Sequence, residues 1–430
     1  MLNIRVASIF IYLIFALIMV QSTLAFILNA IEPSLDSSKV YVVKDLVIVS
    51  FVLLMLLTKA RYEICSLDKY VITLILLVPV LLTLYSANAW EFISAVRFYT
   101  MPLVMYLLGR YVIHLKDDRV FEKFILFVSI AFVVISLAYV FIDRDILLAL
   151  NITDFFQDKY KIFGRSDAMI NGFPINFYFH RSDGSMMERS FGALFDPLAT
   201  AFFGATILFF CYELYRRKKK VVYFFLAWLI LLVIGLSFTR AILLMIPVVL
   251  LMYGIKKYFV RITPILPIIV FMMFFIVVMT QNLENLRSVL DPSTIAHLSV
   301  YEFDQIISLA TGQVRDSEIR GSESLYLTMI KENGLLFFGL YLLLFVKIYR
   351  YLISNKDQVF SYALLTSFVV YVMASFTTEH WFALSSSSLF WFLLGRNVKT
   401  SKGVSKESAK NTQIRSCDNG KGRVVRASMY

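Results

Sequence analysis

Two arginines stand at the ends of strongly apolar segments in the middle of this chain. Arg189 lies in the stretch from Glu188 to Pro197 (ERSFGALFDP), and Arg240 follows the apolar run 221–238. Between them is a block of five cations at 216–220. Short loops rich in Lys and Arg stay on the cytoplasmic side of a membrane, so one crossing on either side of the block predicts that both arginines lie at the outer face. A guanidinium binds two phosphate oxygens at once and keeps its charge, which indicates an anion site.

The composition is typical of a membrane protein with many crossings. Of 430 residues, 59% are hydrophobic and only 17% are charged, and the apolar runs are too numerous for a single anchor. The formal net charge is +12, but the cations lie mostly in short loops and in the tail, so we expect no nucleic-acid partner. The three cysteines, Cys65, Cys211 and Cys417, offer neither a disulfide framework nor a metal-binding pair.

Apolar runs of about 17 residues or more predict an all-α, polytopic integral membrane protein with about twelve transmembrane helices. The predicted helices lie near 6–28, 40–58, 70–87, 92–113, 121–142, 193–214, 221–239, 241–255, 262–279, 334–353, 360–378 and 381–395. Two of them, 241–255 and 381–395, are short for a full span. Lys and Arg concentrate in every second loop, which predicts that both termini are cytoplasmic.

The helices and their loops form one predicted domain, residues 1–395, and the remainder is a tail. Two outer segments, about 143–189 and 280–323, are long enough to suggest a functional role. They mix aromatic and polar residues, which suits the apolar faces and hydroxyl edges of sugar rings; the alternative is an interfacial aromatic belt. The tail, 396–430, is basic and polar, and it is predicted to be disordered in the cytoplasm.

A third arginine, Arg97, lies inside the outer end of the fourth predicted helix. It is predicted to join the other two arginines in an outer cavity that binds phosphate, or else to extend its charge to the membrane surface. Asp143-Arg144-Asp145 matches a metal-binding Asp-x-Asp pattern, but Arg144 would repel a cation. We therefore interpret it as a solvated helix terminus and predict no metal and no cofactor.

The candidate general bases at the outer face are Glu323, His297, His180 and His380. His380 lies in a tight outer turn, where capping or interfacial anchoring is an alternative role. Residues 322–333 predict a short helix at the outer surface, on which Glu323, Tyr326 and Ile330 share one face. Glu323 is expected to accept the acceptor proton, to hold an arginine by an ion pair, or to stabilise the helix start.

Four segments together resemble the O-antigen polymerase and ligase superfamily. They are the stretch from Arg189 to Pro197 (RSFGALFDP), 237–241 (SFTRA), 321–326 (GSESLY) and 334–339 (GLLFFG). The twelve predicted helices and the long outer loops are similar too, so the resemblance covers most of the chain up to about residue 395.

The resemblance implies a GT-C-like glycosyltransferase of the bacterial inner membrane that acts at the periplasmic face on sugars carried by undecaprenyl pyrophosphate. Arg189 and Arg240 would then hold the pyrophosphate leaving group, with Glu323 as a third catalytic residue. Arg97, Tyr326, His380 and His297 would contact substrate. The expected partners are the lipid-linked oligosaccharide and membrane lipids, together with a flippase and a chain-length regulator.

Within the superfamily the sequence favours a polymerase, which joins one lipid-linked repeat unit to another. The ligases commonly have His-Asn where this chain has Ser322-Glu323, and a ligase would transfer polysaccharide to lipid A-core. A flippase is an alternative of another class, but no inverted repeat is visible between 1–215 and 216–395.

Overall fold

The computed structural model describes residues 4–32, 38–58, 64–84, 89–111, 118–162, 169–174, 177–180, 185–239, 242–243, 246, 325–355, 360–375, 378 and 381–398. Secondary-structure elements are numbered among these residues. The helices are α1 Ile4–Ile31, α2 Ser38–Thr58, α3 Ser66–Leu82, α4 Ala89–Tyr111, α5 Asp118–Phe141, α6 Arg144–Ala149, α7 Ile152–Ile162, α8 Pro197–Lys218, α9 Val221–Leu236, α10 Leu325–Ser354, α11 Ser361–Ala374 and α12 Leu384–Asn397. Two antiparallel hairpins pair β1 Met169–Ile170 with β2 Phe173–Pro174, and β3 Tyr178–His180 with β4 Met186–Glu188.

Five of the described helical segments are long and apolar enough to cross a membrane. They are Ile9–Ile31, Phe92–Tyr111, Asp118–Phe141, Pro197–Lys218 and Glu332–Ser354. The apolar helices α9 and α11 are shorter. The chain is therefore a helical membrane protein, as predicted. The predicted helices near 241–255 and 262–279 fall outside the described residues, apart from 242–243 and 246, so the full set of twelve crossings stays a prediction.

A buried polar cluster ties three helices together at one end of the molecule. Arg110 donates through Nε to both carboxylate oxygens of Asp68, at 3.1 and 3.0 Å, and Tyr106 donates to the same carboxylate at 2.6 Å. Arg110 also donates through Nη1 to the carbonyl of Val398 at 3.0 Å. The side chains of Arg110 and Asp68 are each 1% exposed. Because a buried charge is tolerated only when it is paired and hydrogen-bonded, this cluster fixes the ends of α3, α4 and α12 against each other.

The same end of the molecule holds the C-terminus of α12. The Arg396 guanidinium lies 3.7 Å from the ring centroid of Phe121 and 3.5 Å from an Asp118 oxygen. Helix α12 thus runs to Asn397, two residues into the segment that the sequence assigned to a disordered tail. The rest of that tail lies outside the described residues.

Helices α4 and α12 cross at a pair of glycines. A Cβ atom on Gly109 would overlap the carbonyl oxygen of Phe392, and one on Gly395 would overlap the carbonyl oxygen of Tyr106. The two backbones can approach this closely only because each helix has a glycine, without a Cβ atom, at the point of contact. Small residues at such points are typical of close helix packing in membranes.

Helix α10 is two helices joined at Gly334, whose backbone has φ 80° and ψ 168°. The predicted helix over 322–333 is confirmed for the described part, which begins at Leu325. Asn333, the last residue before the break, is buried and donates to the Tyr99 hydroxyl of α4 at 3.0 Å. The break therefore lets the short first half of α10 take a direction of its own while its end stays attached to α4.

Candidate functional site

Arg189 is presented by the hairpin of β3 and β4. Tyr178 pairs with Glu188 in this hairpin, and the Arg189 amide donates to the carbonyl of Phe177 at 2.9 Å. The next amide, that of Ser190, donates to the carbonyl of Leu236 at the end of α9, also at 2.9 Å. The backbone on both sides of the Arg189 side chain is therefore fixed, by the hairpin on one side and by α9 on the other.

The Arg189 side chain reaches the residues that follow α9. Its Nε donates to the Ser237 carbonyl at 2.7 Å, and its Nη2 donates to Thr239 Oγ1 at 3.0 Å. Thr239 is 2% exposed, whereas Arg189 is only partly buried. Thr239 is the immediate neighbour of Arg240, so the structure brings Arg189 to the segment that carries the second arginine. Arg240 itself lies outside the described residues.

An aromatic cluster under the loop of Arg189 holds the hairpin in place. Its members are the buried rings of Phe155, Phe156, Phe173, Phe177, Phe191 and Phe195. Phe156 and Phe177 meet edge to face at 4.8 Å, and Phe191 and Phe195 lie 5.1 Å apart. Aromatic pairs at these separations contribute roughly 0.5–1.5 kcal/mol each beyond their burial. The loop thus shares a hydrophobic core with Phe26 of α1 and Tyr41 of α2, and this core orders the backbone around Arg189.

The residues after Arg189 build a turn and a helix start. Gly192 and Phe195 both have left-handed backbone conformations, with φ 57° and 52°. Asp196 then caps α8, because its Oδ1 accepts from the amides of Leu198 at 2.8 Å and Ala199 at 3.2 Å. Side-chain acceptors at this position satisfy otherwise unpaired helix amides. In this stretch Asp196 therefore has a capping role.

Arg144 belongs to the same site, although no motif or spacing in the sequence indicates this. Its Nε lies 3.0 Å from a Glu188 carboxylate oxygen, and its Nη2 is 3.4 Å from the Arg189 carbonyl. The guanidinium also lies over two rings, 4.6 Å from the centroid of Phe173 and 5.3 Å from that of Tyr178. A cation between aromatic faces is stabilised by their quadrupoles. Arg144 thereby fixes the strand that leads into Arg189.

The tyrosine in this arrangement has a defined role. The Tyr178 hydroxyl donates to the Ile170 carbonyl at 2.9 Å and so joins the two hairpins. Burial raises the pKa of Tyr178, and nearby Arg144 acts in the opposite direction. The phenol therefore stays protonated at neutral pH and keeps its donor.

The Asp-x-Asp pattern at Asp143 is a helix start, as predicted. Asp143 is the N-cap of α6 and accepts from the Asp145 amide at 3.0 Å. Within the described parts of the chain, no three His, Cys, Asp or Glu side chains are grouped closely enough to hold a metal ion.

Arg97 of α4 makes an ion pair with a residue of α2. Its Nε pairs with Asp45 of α2, and Lys44 Nζ lies 3.1 Å from the other oxygen of that carboxylate. Tyr41 lies one turn before Asp45 in α2, and its hydroxyl is 3.4 Å from Ser22 Oγ on α1. Ser22 in turn lies 3.4 Å from the carbonyl of Leu194, which follows Arg189 in the turn before α8. A chain of contacts thus leads from α2 to the loop of Arg189.

Tyr326 connects two helices. Its hydroxyl donates to the Val372 carbonyl of α11 at 2.7 Å, and the backbone amide of Leu325 donates to the Ser375 carbonyl at 3.1 Å. These bonds attach the first half of α10 to α11. The predicted substrate role of Tyr326 stays a prediction.

Several predicted site residues cannot be placed. Arg240, Glu323, His297 and His380 lie outside the described residues. His180 is described only as a backbone position in β3. The structure therefore brings Arg189 next to Thr239 and places Arg144 in contact with the same loop. The identity of the general base stays a prediction.

No family model, no curated protein and no solved structure gives a significant match to this chain.

Proposed function

We propose that the chain is a glycosyltransferase that polymerises oligosaccharide repeat units carried on undecaprenyl pyrophosphate. The reaction would take place at the periplasmic face of the bacterial inner membrane and build O-antigen or a related surface polysaccharide. The observation that carries the proposal is the position of Arg189. Its guanidinium is held by the Ser237 carbonyl and the Thr239 hydroxyl, beside the segment of Arg240, on a loop ordered by an aromatic core that it shares with α1.

The chemistry requires stabilisation of a leaving phosphate. A hydroxyl of the acceptor sugar attacks the anomeric carbon of the donor sugar, the bond from that carbon to the pyrophosphate oxygen breaks, and a glycosidic bond forms. The acceptor proton goes to a base, and negative charge develops on the pyrophosphate. Cations held in place before the reaction stabilise that charge without reorganisation and without a metal. We assign this role to Arg189 and Arg240, and the base or positioning role to Glu323.

The remaining assignments follow from the same proposal. The aromatic and polar outer loop would contact sugar rings, with His297, His380 and Tyr326 as further contacts. Arg97, which is paired with Asp45, would bind phosphate. A flippase would supply the lipid-linked repeat, and a chain-length regulator would limit the polymer.

The test is complementation of a strain from which the gene has been deleted. We expect the wild-type gene to restore long surface polysaccharide, whereas Arg189→Ala leaves a single repeat unit on the lipid core although the protein accumulates in the membrane. Arg189→Lys should restore little, because an ammonium lacks the planar fork that binds two oxygens. Lys220→Ala is the control, since this exposed cation is paired with Glu122 at the opposite end of α8.

Each other outcome has a definite meaning. Polymer of normal length from Arg189→Ala would contradict the pyrophosphate role. Long chains left on the lipid carrier in the deletion strain would indicate a ligase, and the loss of all lipid-linked sugar at the outer face would indicate a flippase. With purified enzyme and lipid-linked repeat, we expect full activity in EDTA; loss that Mg²⁺ or Mn²⁺ restores would contradict the metal-independent chemistry.

A further inference from the structure

The carboxylate of Asp45 in α2 lies between two cations. Lys44 Nζ lies 3.1 Å from Asp45 Oδ1, and Arg97 Nε of α4 pairs with Asp45 Oδ2. The side chains of Lys44 and Asp45 are 2% and 11% exposed, whereas that of Arg97 is 28% exposed. Lys44 and Asp45 are therefore enclosed by protein, and Arg97 is the member of this cluster that a ligand can reach.

The contact with Asp45 fixes one edge of the Arg97 guanidinium. Among the described residues, Arg97 makes its side-chain hydrogen bond through Nε alone, to Asp45 Oδ2. The terminal nitrogens Nη1 and Nη2 are left for another acceptor, and such a pair of nitrogens binds two phosphate oxygens at once. Asp45 thus orients Arg97 without occupying these two nitrogens.

Lys44 changes the charge of the cluster. A pair of Arg97 and Asp45 alone would be neutral, and the carboxylate would cancel most of the attraction of the guanidinium for an anion. With Lys44 the three groups carry a net charge of about +1. Asp45 Oδ1 accepts no hydrogen bond from the described residues, so Lys44 acts on it through charge. Burying a cation about 9 Å into α2 is costly, and ionisable residues within membrane helices commonly mark a functional site.

The segment of α2 that carries the cluster also contacts the loop of Arg189. Tyr41, one turn before Asp45, belongs to the same hydrophobic cluster as Phe191 and Phe195. These two rings follow Arg189 in the chain and order its backbone. The cluster around Asp45 therefore lies on an element that packs against the proposed pyrophosphate site.

We infer that Asp45 and Lys44 are positioning residues through which Arg97 binds undecaprenyl pyrophosphate. Asp45 orients the guanidinium, and Lys44 compensates the carboxylate, so that the cluster keeps a net positive charge toward the pyrophosphate. Neither Asp45 nor Lys44 touches the ligand. This role rests on the proposed function, which supplies the lipid-linked pyrophosphate.

The test is binding of undecaprenyl pyrophosphate to the purified full-length protein, measured by native mass spectrometry. We expect Lys44→Met to weaken binding about tenfold, because one unit charge is removed close to the pyrophosphate, and Arg97→Gln to weaken it at least as much. The melting temperature of Lys44→Met should not fall, since the variant leaves a neutral pair of Arg97 and Asp45 and no buried ammonium. Lys220→Met is the control, because Lys220 also shares a carboxylate, that of Glu122, with a second lysine at the opposite end of the molecule.

The double variant Lys44→Met with Asp45→Asn separates a positioning role from a purely structural one. It has the same net charge as the wild type, and the Asn carbonyl still accepts from Arg97 Nε. We therefore expect it to recover most of the binding that Lys44→Met loses. A cluster that only holds helices together would lose binding and melting temperature together in Lys44→Met, without recovery in the double variant. That result, or unchanged binding by Lys44→Met, would overturn the inference.

Arg189→Ala distinguishes a failure of this role from a failure of the proposed function. If Arg189→Ala loses the lipid while Lys44→Met binds as the wild type does, the proposed function stands and the role of Lys44 is wrong. If the wild type itself does not bind undecaprenyl pyrophosphate, the proposed function fails, and the role of Lys44 fails with it. Phosphatidylglycerol is the comparison lipid; equal weakening of both lipids by Lys44→Met would assign the cluster to anionic lipids in general and overturn the pyrophosphate role.

Discussion

Within the segment from Arg189 to Pro197, one side chain carries the proposed chemistry and its neighbours shape the backbone. Arg189 reaches across to Ser237 and Thr239, whereas Asp196 caps α8. This short motif therefore contains both the side chain proposed to bind an anion and the turn that positions it. Substitutions at Asp196 would act on the start of α8 and only indirectly on an anion.

Arg144 provides a prediction at the same scale. Its side chain is 19% exposed and contacts Glu188, the Arg189 carbonyl and two aromatic rings. We expect Arg144→Ala to lower the stability of the loop by about 1–3 kcal/mol, because a partly buried hydrogen bond from a charged group and two cation–aromatic contacts are lost together. Polymer formation should fall at least tenfold.

Glu188→Gln is the matched comparison. Glu188 is 61% exposed, and an exposed ion pair is worth about 0–1 kcal/mol. This variant should therefore retain near-normal polymer and an unchanged melting temperature in detergent. If Arg144→Ala behaves like Glu188→Gln in both measurements, Arg144 does not position Arg189.

At the scale of elements, the long helices could be predicted, and the short elements between α5 and Arg189 could not. The helix predicted at 121–142 is observed as Asp118–Phe141, because a continuous apolar run is a local signal. The hairpins and the helices α6 and α7 lie in a segment that the sequence predicted only as a loop. They depend on contacts between residues far apart in sequence, such as Phe26 with Phe155. Periodicity in a short window cannot reveal such contacts.

The observed start of α8 differs from the predicted one, although the sequence contains a local signal for the observed start. The sequence predicted a helix from residue 193, but the structure has a 3-10 turn over Gly192–Leu194 and begins α8 at Pro197. Asp followed by Pro is typical of an N-cap and first helical residue. The prediction from hydropathy extended the helix across this signal. Hydropathy also gives no information about contacts between segments far apart in sequence, so the contact of Arg189 with Thr239 could not be predicted.

The break in α10 supports a second prediction. Gly334 has φ 80° and ψ 168°, a region that only glycine adopts readily. Gly334→Ala should cost about 1–3 kcal/mol and redirect the first half of α10, which carries Tyr326. We expect reduced polymer and a lower melting temperature. Gly339→Ala, a helical glycine with nothing within 4 Å of an added Cβ, should be neutral in both; equal effects would show that the break is not needed.

The crossing of α4 and α12 supports a third prediction. Gly109→Val and Gly395→Val each place a side chain against the backbone of the other helix. Overpacking in a dense interior typically costs about 1–3 kcal/mol, and here the neighbours are backbone atoms that cannot rotate away. We expect poor accumulation in the membrane and early thermal unfolding. The control is Gly235→Ala, where an added Cβ meets no atom within 4 Å; stable Val variants would contradict the observed crossing.

Across the whole molecule, the two ends of the bundle differ in the kind of polar contact they contain. One end has the buried Arg110 and Asp68 pair, in which one guanidinium meets one carboxylate. The other end has Arg189 bound to a carbonyl and a hydroxyl, and the cluster in which Lys44 and Arg97 share Asp45. The first end is suited to holding helices together. The second is suited to binding anions, and this agrees with the side on which we place the reaction.

The orientation of these ends in the membrane is the last prediction. Helix α8 spans Pro197–Lys218, a length of about 33 Å that matches the bilayer core of about 30 Å. The Arg189 loop and the cations after Tyr215 must then lie at opposite faces, with the cations in the cytoplasm. We expect Met186→Cys, at an exposed position of β4, to react with a membrane-impermeant maleimide when only the outer membrane is permeabilised.

Lys218→Cys should react only after lysis, because its side chain, 47% exposed, lies at the other end of α8. Both variants are made in a chain in which Cys65, Cys211 and Cys417 are replaced by alanine, and labelling in denaturant gives the total thiol. The reverse pattern would place Arg189 in the cytoplasm, where the proposed periplasmic substrate is absent. It would therefore contradict the polymerase proposal together with the topology, but it would leave the contacts of Arg189 unaffected.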